Sequence, residues 1–158
     1  LWLDCACGSG YGTNLLSNFT QHVIGYDINK YAIEYAQQTY KTSDCTFVDN
    51  LSNIRELQFD VILSIETIEH MPVNKGIEFL TTLNALLKKD GDLVITTPIL
   101  SETNYAPSNK FHYLEYSNKD FIGLLNESGF EVQNSHFIKT TFTDGETKDQ
   151  GYYKCQKK

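Results

Sequence analysis

Residues 1–12, LWLDCACGSGYG, decide the fold of this chain. A short apolar segment ends in the carboxylate of Asp4 and runs directly into a turn with glycines at positions 8, 10 and 12. A glycine turn of this kind leaves backbone N–H groups open to a ligand at the start of a helix. The order of strand, glycine turn and helix therefore predicts a nucleotide-type cofactor site at the edge of an open α/β sheet.

Composition narrows the class of protein. The chain has 158 residues and is 41% hydrophobic, which predicts one globular domain with a sizeable core. Its formal net charge of −7 disfavours a nucleic-acid partner, because phosphate binding relies on clustered Lys and Arg. No apolar run is long enough for a membrane span and no signal-peptide pattern is visible. The four cysteines match no zinc or redox spacing, so we expect reduced thiols and a cytoplasmic location.

Strand and helix patterns alternate along the chain. They predict an α/β fold with a seven-stranded, mostly parallel sheet and an antiparallel C-terminal hairpin. The parallel strands are expected at 1–4, 22–26, 45–48, 59–65 and 92–97, the last after a turn at Asp90-Gly91. Helices are expected over 11–19, after an N-cap at Asn29, before position 87 and from Ser117 to a C-terminal Gly129. A long connection covers 98–116, and the hairpin pairs 130–141 with 150–156 around Asp144-Gly145.

Three carboxylates follow the first three predicted strands, at Asp4, Asp27 and Asp49. The carboxyl ends of parallel strands share one edge of the sheet, so these side chains are expected near one ligand. Asp27 suits a ribose diol, and Asp49 could accept from an adenine amine. Asp4 would repel a pyrophosphate and attract an ammonium or sulfonium group. A dinucleotide site would also need glycine at position 13, where this chain has Thr13. Taken singly, any one of the three acids could instead be an ordinary helix cap.

The segment LDCACGSGYGT resembles motif I of the class I S-adenosylmethionine-dependent methyltransferases. The segments VIGYDIN, FVDN, FDVILSIETIEHM and LKKDGDLVITTP follow in the family's order, and Ala6 stands where the family usually has its first glycine. The resemblance implies a Rossmann-like doubly wound fold and a single methyltransferase domain over 1–158, without the helices that usually precede the first strand. It implies S-adenosylmethionine contacts at Asp4, Ala6, Gly8, Gly10, Asp27, Ile28, Asp49, Asn50, Ser64, Ile65 and Glu66.

The most reactive cluster follows the fourth strand, in Glu66-Thr67-Ile68-Glu69-His70. On a helical turn Glu66, Glu69 and His70 share one face, where they could bind a divalent cation. Alternatively, His70 is a general base whose ring Glu69 orients. An exposed helix start with acids in its first turn is the third interpretation. The long connection adds His112, which could fold over the same edge or belong to a packed aromatic loop.

The pattern E-x-x-E-H, then T-P, then H-x-x-E-aromatic-Ser resembles two branches of the family. One is the small-molecule and glycan O-methyltransferases, including the ubiquinone-biosynthesis type. The other is the small-RNA 2′-O-methyltransferases, in which the matching positions would hold a metal: Glu66, Glu69, His70 and His112. The acidic balance and the lack of an RNA-binding appendage argue against RNA here.

We therefore expect methyl transfer from S-adenosylmethionine to a hydroxyl of a small molecule or sugar. The catalytic residues would be His70, His112 and Glu69, with an imidazole as base. Two other classes stay open at this point. One is a nicotinamide-dependent oxidoreductase, which Asp4 and Thr13 disfavour. The other is a catalytically silent domain that binds S-adenosylmethionine without transferring its methyl group.

Overall fold

A computed structural model describes residues 1–141 and 147–158 of the chain. Strands and helices alternate, with single 3₁₀ turns at Leu51–Asn53 and Ile68–His70. The main elements are β1 (Trp2–Cys5), α1 (Tyr11–Leu16), β2 (Val23–Tyr26), α2 (Lys30–Tyr40), β3 (Cys45–Val48), β4 (Phe59–Ile65), α3 (Val73–Leu86), β5 (Leu87–Leu100), β6 (Tyr116–Ser117), α4 (Asn118–Glu127), β7 (Phe130–Thr141) and β8 (Thr147–Lys157). Among these helices, none combines the length and apolar character that crossing a bilayer requires.

The strands form a single sheet in the order β3-β2-β1-β4-β5-β8-β7, and β6 pairs with β5 off this path. The strands β1 to β5 are parallel, while β8 runs antiparallel to both β5 and β7. The predicted α/β class, with a mostly parallel sheet and an antiparallel C-terminal pair, is confirmed. Over the described residues the sheet has eight strands where seven were expected, because Tyr116, the last residue of the predicted connection, and Ser117, the predicted helix cap, pair with β5 as β6. The expected hairpin turn at Asp144-Gly145 lies outside the described residues.

Strand β5 is longer than the sequence indicates. The expected turn at Asp90-Gly91 is an irregularity within the strand, where the pairing of β4 with β5 shifts register between Phe59 and Val61. Gly91 is needed there, since a Cβ would lie 2.8 Å from Leu87 Cδ1 and 3.0 Å from the carbonyl oxygen of Asp60. The strand also continues through Pro98. Its missing N–H is tolerated because pairing with β4 ends at Thr96 and pairing with β6 begins only at Ile99.

The helix ends confirm several local predictions. The Asn29 side chain accepts hydrogen bonds from the N–H groups of Tyr31 and Ala32, so it caps α2. Ser117 accepts from Asp120 N–H and caps α4 in the same way. Gly129 follows α4 with φ +85°, a conformation that glycine adopts without steric cost.

Two apolar clusters hold the sheet edge in place. The larger cluster contains large, fully buried side chains from the sheet and from α3 and α4, including Phe59, Leu83, Phe121, Phe130 and Tyr153. The smaller one packs α2 against the first strands through Val23, Ile33, Ala36, Cys45 and Phe47. All four cysteines are free thiols, and three of them are buried: Cys5, Cys45 and Cys155. The carboxyl ends of β1, β2 and β4 therefore project from a rigid, packed layer.

Candidate active site

The glycine turn after β1 is built for close packing. Gly8 and Gly10 both adopt positive φ, at +53° and +84°. A Cβ at Gly10 would lie only 2.7 Å from Ala36 Cβ and from Phe47 Cε1, closer than real side chains pack. Gly10 precedes α1 as its N-cap residue. The turn thus needs glycine at position 10 for both conformation and space, as its sequence pattern indicates.

Asp27 joins the end of β2 to the glycine turn. Its Oδ2 accepts a hydrogen bond from Gly8 N–H at 2.8 Å, and its Oδ1 accepts from Asn29 N–H at 2.8 Å. Each oxygen keeps a second lone pair, because an ionised carboxylate can accept about four hydrogen bonds. The carboxylate is consequently held in one orientation by two backbone donors and can still accept from a ligand.

Asp4 is buried behind the same turn. The hydroxyl of Thr13 donates to its Oδ2 at 2.6 Å. Burial, and secondarily the charge of Asp27, raises the pKa of Asp4, while the bond from Thr13 lowers it. Thr13, which stands where a dinucleotide site has glycine, therefore serves to hold Asp4.

Ala6 occupies a strained position in the turn. Its φ is +69°, in the left-handed region, and its N–H donates to the carbonyl of Tyr26 at 2.8 Å. An alanine costs about 1–2 kcal/mol in this conformation because its Cβ approaches the following carbonyl. Ala6, which stands where the family usually has its first glycine, thus takes a conformation that glycine adopts without this steric cost.

Replacing Ala6 with glycine should therefore stabilise the protein by roughly 0.5–1 kcal/mol, the strain relieved less the extra entropy of the unfolded chain. Urea unfolding followed by circular dichroism measures this change. The matched control is Ala32→Gly within helix α2, which should destabilise by about 1 kcal/mol. A loss of stability in Ala6→Gly would contradict the strain at this residue.

A pocket of about 430 Å³ opens beside the turn at the carboxyl ends of the strands. Its lining includes residues predicted to contact the cofactor and also His70, which was predicted to be catalytic. Its lining consists of Cys5, Ala6, Tyr26, Asp27, Ile28, Leu51, Glu66, Thr67, His70, Met71 and Phe79. A second pocket of about 420 Å³ shares Cys5, Ile28, Leu51, Met71 and Phe79 with it. Four predicted cofactor residues, Ala6, Asp27, Ile28 and Glu66, thus meet His70 at one cavity.

The other predicted cofactor residues lie outside the lining of this pocket: Asp4, Gly8, Gly10, Asp49, Asn50, Ser64 and Ile65. Asn50 caps the 3₁₀ turn after β3, since its side chain accepts from Ser52 N–H at 2.9 Å. Ser64 is fully buried, and its Oγ has no hydrogen-bond partner among the described residues. Ile65, one residue later on the strand, is exposed. Alternation along β4 thus turns Ser64 towards the buried core and away from the surface that Ile65 reaches.

Glu66 is held at the rim of the pocket by the neighbouring strand. Its φ is +50°, and its Oε1 accepts from the hydroxyl of Thr96 at 2.8 Å. Its own N–H donates to the Thr96 carbonyl at 3.2 Å. These contacts across β4 and β5 fix both the backbone and the side chain of Glu66.

Three of the four predicted cation ligands come together. Ligand atoms of Glu69, His70 and His112 all lie within 4.8 Å of one another, and the two imidazole rings meet edge to face at 5.0 Å. Glu66 is not in this group, because Thr96 holds it elsewhere. Glu69 is 1% exposed and accepts from the Thr97 hydroxyl at 3.1 Å. Its burial, and secondarily the charge of Glu66, raises the pKa of Glu69 to about 8.

The tautomer of His70 follows from its partner. Its Nδ1 lies 2.8 Å from the carbonyl oxygen of Phe111. A carbonyl only accepts, so Nδ1 carries the hydrogen and the lone pair of the neutral ring is on Nε2. His112 is engaged at both nitrogens, with Nδ1 2.7 Å from Glu115 Oε1 and Nε2 2.9 Å from Asn109 Nδ2. His70 is therefore the imidazole with an open basic nitrogen, and His112 is a half-buried ring that two partners orient.

The residues that hold these side chains were not predicted as site residues. They are Thr96, Thr97, Asn109, Glu115 and the backbone carbonyl of Phe111. The H-x-x-E spacing carries a signal for Glu115, since it places a carboxylate three residues after His112. A backbone carbonyl leaves no such signal.

Comparisons with known proteins identify the family to which the chain belongs. Residues 3–95 match the family model described as a methyltransferase domain. A protein of Mycolicibacterium smegmatis named as a probable S-adenosylmethionine-dependent methyltransferase is 27% identical over 84% of this chain and 52% of its own length. A ubiquinone biosynthesis O-methyltransferase of Actinobacillus pleuropneumoniae is 29% identical over 60% of this chain and 44% of its own.

A solved S-adenosylmethionine-dependent methyltransferase of Methanosarcina mazei superposes with a TM-score of 0.78 at 16% identity, over 99% of this chain and 91% of that one. This likeness shows the fold. The chain spans about half the length of the curated relatives it matches. With the family model covering more than half of its residues, the chain belongs to the methyltransferase domain family.

Proposed function

We propose that this protein transfers a methyl group from S-adenosylmethionine to a hydroxyl of a small molecule or sugar. One observation carries the proposal: a single pocket is lined both by Asp27, the expected ribose ligand, and by His70, whose Nε2 is the open basic nitrogen. The O-methyltransferase named for ubiquinone biosynthesis supports a hydroxyl acceptor. A cytoplasmic location stays a prediction.

The residues of the pocket suit this donor. Ile28, Leu51 and Phe79 offer apolar surface, and the carboxylates of Asp27 and Glu66 supply negative charge. An amphipathic nucleoside with a positively charged sulfur matches both features. When bound, S-adenosylmethionine supplies a methyl group that can be transferred from its positively charged sulfur to an acceptor oxygen.

Two tasks fall to the protein in this reaction. Positioning of donor and acceptor in one pocket supplies much of the rate acceleration. His70 accepts the hydroxyl proton at Nε2, while its Nδ1–H stays bonded to the Phe111 carbonyl and keeps the ring oriented. General base catalysis of this kind contributes about 10²–10⁴-fold.

The test is release of S-adenosylhomocysteine with a panel of phenols and sugars, each compared with its O-methylated form. We expect release with at least one hydroxyl acceptor and none with its methyl ether. Donor binding without release from any hydroxyl acceptor would instead support the catalytically silent alternative. Release only with amines would overturn the oxygen assignment.

A second candidate is a cation-assisted transfer, as in the small-RNA branch. It is favoured by one carboxylate and two imidazoles whose ligand atoms lie within 4.8 Å, a donor set that suits Mn²⁺ or Zn²⁺. Those residues would hold the ion, with His112 exchanging the Asn109 contact at its Nε2 for the cation, and would supply a Lewis acid beside the pocket. Glu69 must first lose its proton, because its raised pKa of about 8 keeps it protonated at neutral pH.

Cation affinity should therefore rise with pH up to about 8, since the folded protein must release the Glu69 proton. Calorimetric titration of Mn²⁺ between pH 6 and 9 measures this dependence. Glu69→Gln should abolish binding, whereas Glu66→Gln, the matched control, should retain it. Equal loss of Mn²⁺ binding in both variants would show that Glu66 is a ligand as well, as the resemblance implies. Full methyl transfer in the presence of a chelator would refute the cation hypothesis.

A further inference from the structure

A short segment of the connection after β5, residues 109–113, lies against the exposed ring of His70. The carbonyl oxygen of Phe111 is 2.8 Å from His70 Nδ1. The N–H of Tyr113 donates to the carbonyl of Glu69 at 2.8 Å, which ties the segment to the residue before His70. An exposed side chain keeps its rotamer freedom unless its neighbours hold it, so the shape of this segment governs the orientation of the proposed base.

Asn109 folds this segment through both its side chain and its backbone. Its Oδ1 accepts from the N–H of Phe111 at 3.0 Å, which forms an Asx turn, and its carbonyl accepts from the N–H of His112 at 3.0 Å. The His112 N–H and the Phe111 carbonyl belong to one planar trans peptide unit, in which they point in opposite directions. Asn109 thus holds the peptide units on both sides of Phe111, and the Phe111 carbonyl is directed at His70.

The amide of Asn109 can have only one orientation. The N–H of Phe111 is a donor, so the amide atom that faces it must be the oxygen, and the other is the NH₂ group. This NH₂ group lies 2.9 Å from His112 Nε2, which must therefore accept. The hydrogen of the neutral His112 ring is then on Nδ1, which donates to Glu115 Oε1 at 2.7 Å. Asn109 consequently occupies the lone pair of His112.

We propose that Asn109 is a positioning residue for methyl transfer, which keeps His70 Nε2 free to accept a proton and closes His112 Nε2 to that role. It acts on His70 through the Phe111 carbonyl and on His112 through a direct hydrogen bond. Within the described part of the chain, His70 is then the ring of this pair whose basic nitrogen has no partner. The inference rests on the proposed function, because it takes His70 as the base.

The test is ¹⁵N NMR of protein labelled at the histidine rings, which reports the nitrogen that carries the hydrogen in each neutral imidazole. Spectra are recorded in the presence of a chelator at about pH 8.5, where imidazoles are neutral. His70→Ala and His112→Ala assign the two sets of signals. In the parent protein we expect both rings to show the Nδ1–H form alone.

Two substitutions separate the contacts of Asn109. Asn109→Ala removes both side-chain bonds, so His70 should populate both neutral forms, whereas Glu115 should keep the hydrogen of His112 on Nδ1. The kcat for methyl transfer should fall about tenfold at unchanged S-adenosylhomocysteine affinity. Asn109→Asp keeps the acceptor for the Phe111 N–H, so His70 should retain the Nδ1–H form and most of the rate. His112 Nε2 should gain a hydrogen in this variant, because it then faces a carboxylate.

Asn104→Ala is the matched control, since Asn104 Oδ1 accepts from the N–H of Ala106 at 3.0 Å in a second Asx turn of the same connection. This variant should leave both rings and the rate unchanged. Equal changes in Asn104→Ala and Asn109→Ala would overturn the proposal. So would a single Nδ1–H form of His70 in Asn109→Ala, or both forms of His70 in Asn109→Asp.

The NMR measurement needs no methyl acceptor, so it is independent of the proposed function. The expected ring signals in all variants would support the positioning role of Asn109 even if no acceptor were methylated. That absence of transfer would count against the methyl-transfer function alone. Full methyl transfer together with unchanged ring signals in Asn109→Ala would instead overturn the role of Asn109 and leave the function standing.

Discussion

Replacing Asp27 with alanine is expected to weaken S-adenosylhomocysteine binding by more than tenfold. The carboxylate lines the pocket while two backbone N–H groups, those of Gly8 and Asn29, hold it in place. A hydrogen bond to a charged group contributes about 1.5–3 kcal/mol, so the loss of one ribose contact already exceeds tenfold. The substitution also removes the partner of Gly8 and loosens the turn. Isothermal titration calorimetry measures the change directly.

Two variants separate these effects. Asp27→Asn keeps the shape and one oxygen but removes the charge, so it should bind more tightly than Asp27→Ala and less tightly than the parent protein. Asp44→Ala removes an exposed carboxylate before β3 and should leave affinity unchanged. Unaltered binding in Asp27→Ala would show that this residue is not the ribose ligand. Absence of binding by the parent protein at millimolar ligand would overturn the cofactor proposal itself.

Replacing His70 with alanine is expected to lower kcat for methyl transfer by about 10²–10⁴-fold while S-adenosylhomocysteine still binds. The reason is that Nε2 of this ring is the open basic nitrogen, whereas both nitrogens of His112 have partners. Initial rates across pH measure the effect, because removal of the base should abolish the acidic limb of the rate profile. Added imidazole should restore part of the rate.

His136→Ala is the matched control, since this ring stacks on Tyr152 in the antiparallel strands and should not affect transfer. His112→Ala should reduce the rate less than His70→Ala if His112 only orients the site. A larger loss in His112→Ala would exchange the two roles. Equal and complete losses in both variants, together with loss in chelator, would favour the cation-assisted reaction.

Much of this site could be predicted because its signals are local in the sequence. Asp4 and Asp27 each follow an apolar strand, and parallel strands bring their carboxyl ends to one edge. Gly10 indicates a turn, because residues other than glycine rarely adopt its φ of +84°. Only half of the role of Thr13 could be predicted. Its presence at position 13 argues against a dinucleotide site, but the hydrogen bond from its hydroxyl to Asp4 is seen only in the packed structure.

The order of strands and helices, the glycine turn, and the acids and imidazoles available to the site all follow from the amino-acid sequence alone. Which of these side chains lie together depends on the tertiary structure. Thr96 on the neighbouring strand binds the Glu66 carboxylate, so Glu66 lies apart from the other three predicted cation ligands. The carbonyl of Phe111, 41 residues from His70 in sequence, determines the tautomer of the His70 ring. Local patterns encode backbone conformation, whereas such contacts join residues distant in sequence and depend on sheet register and loop path, which short-range periodicity does not specify.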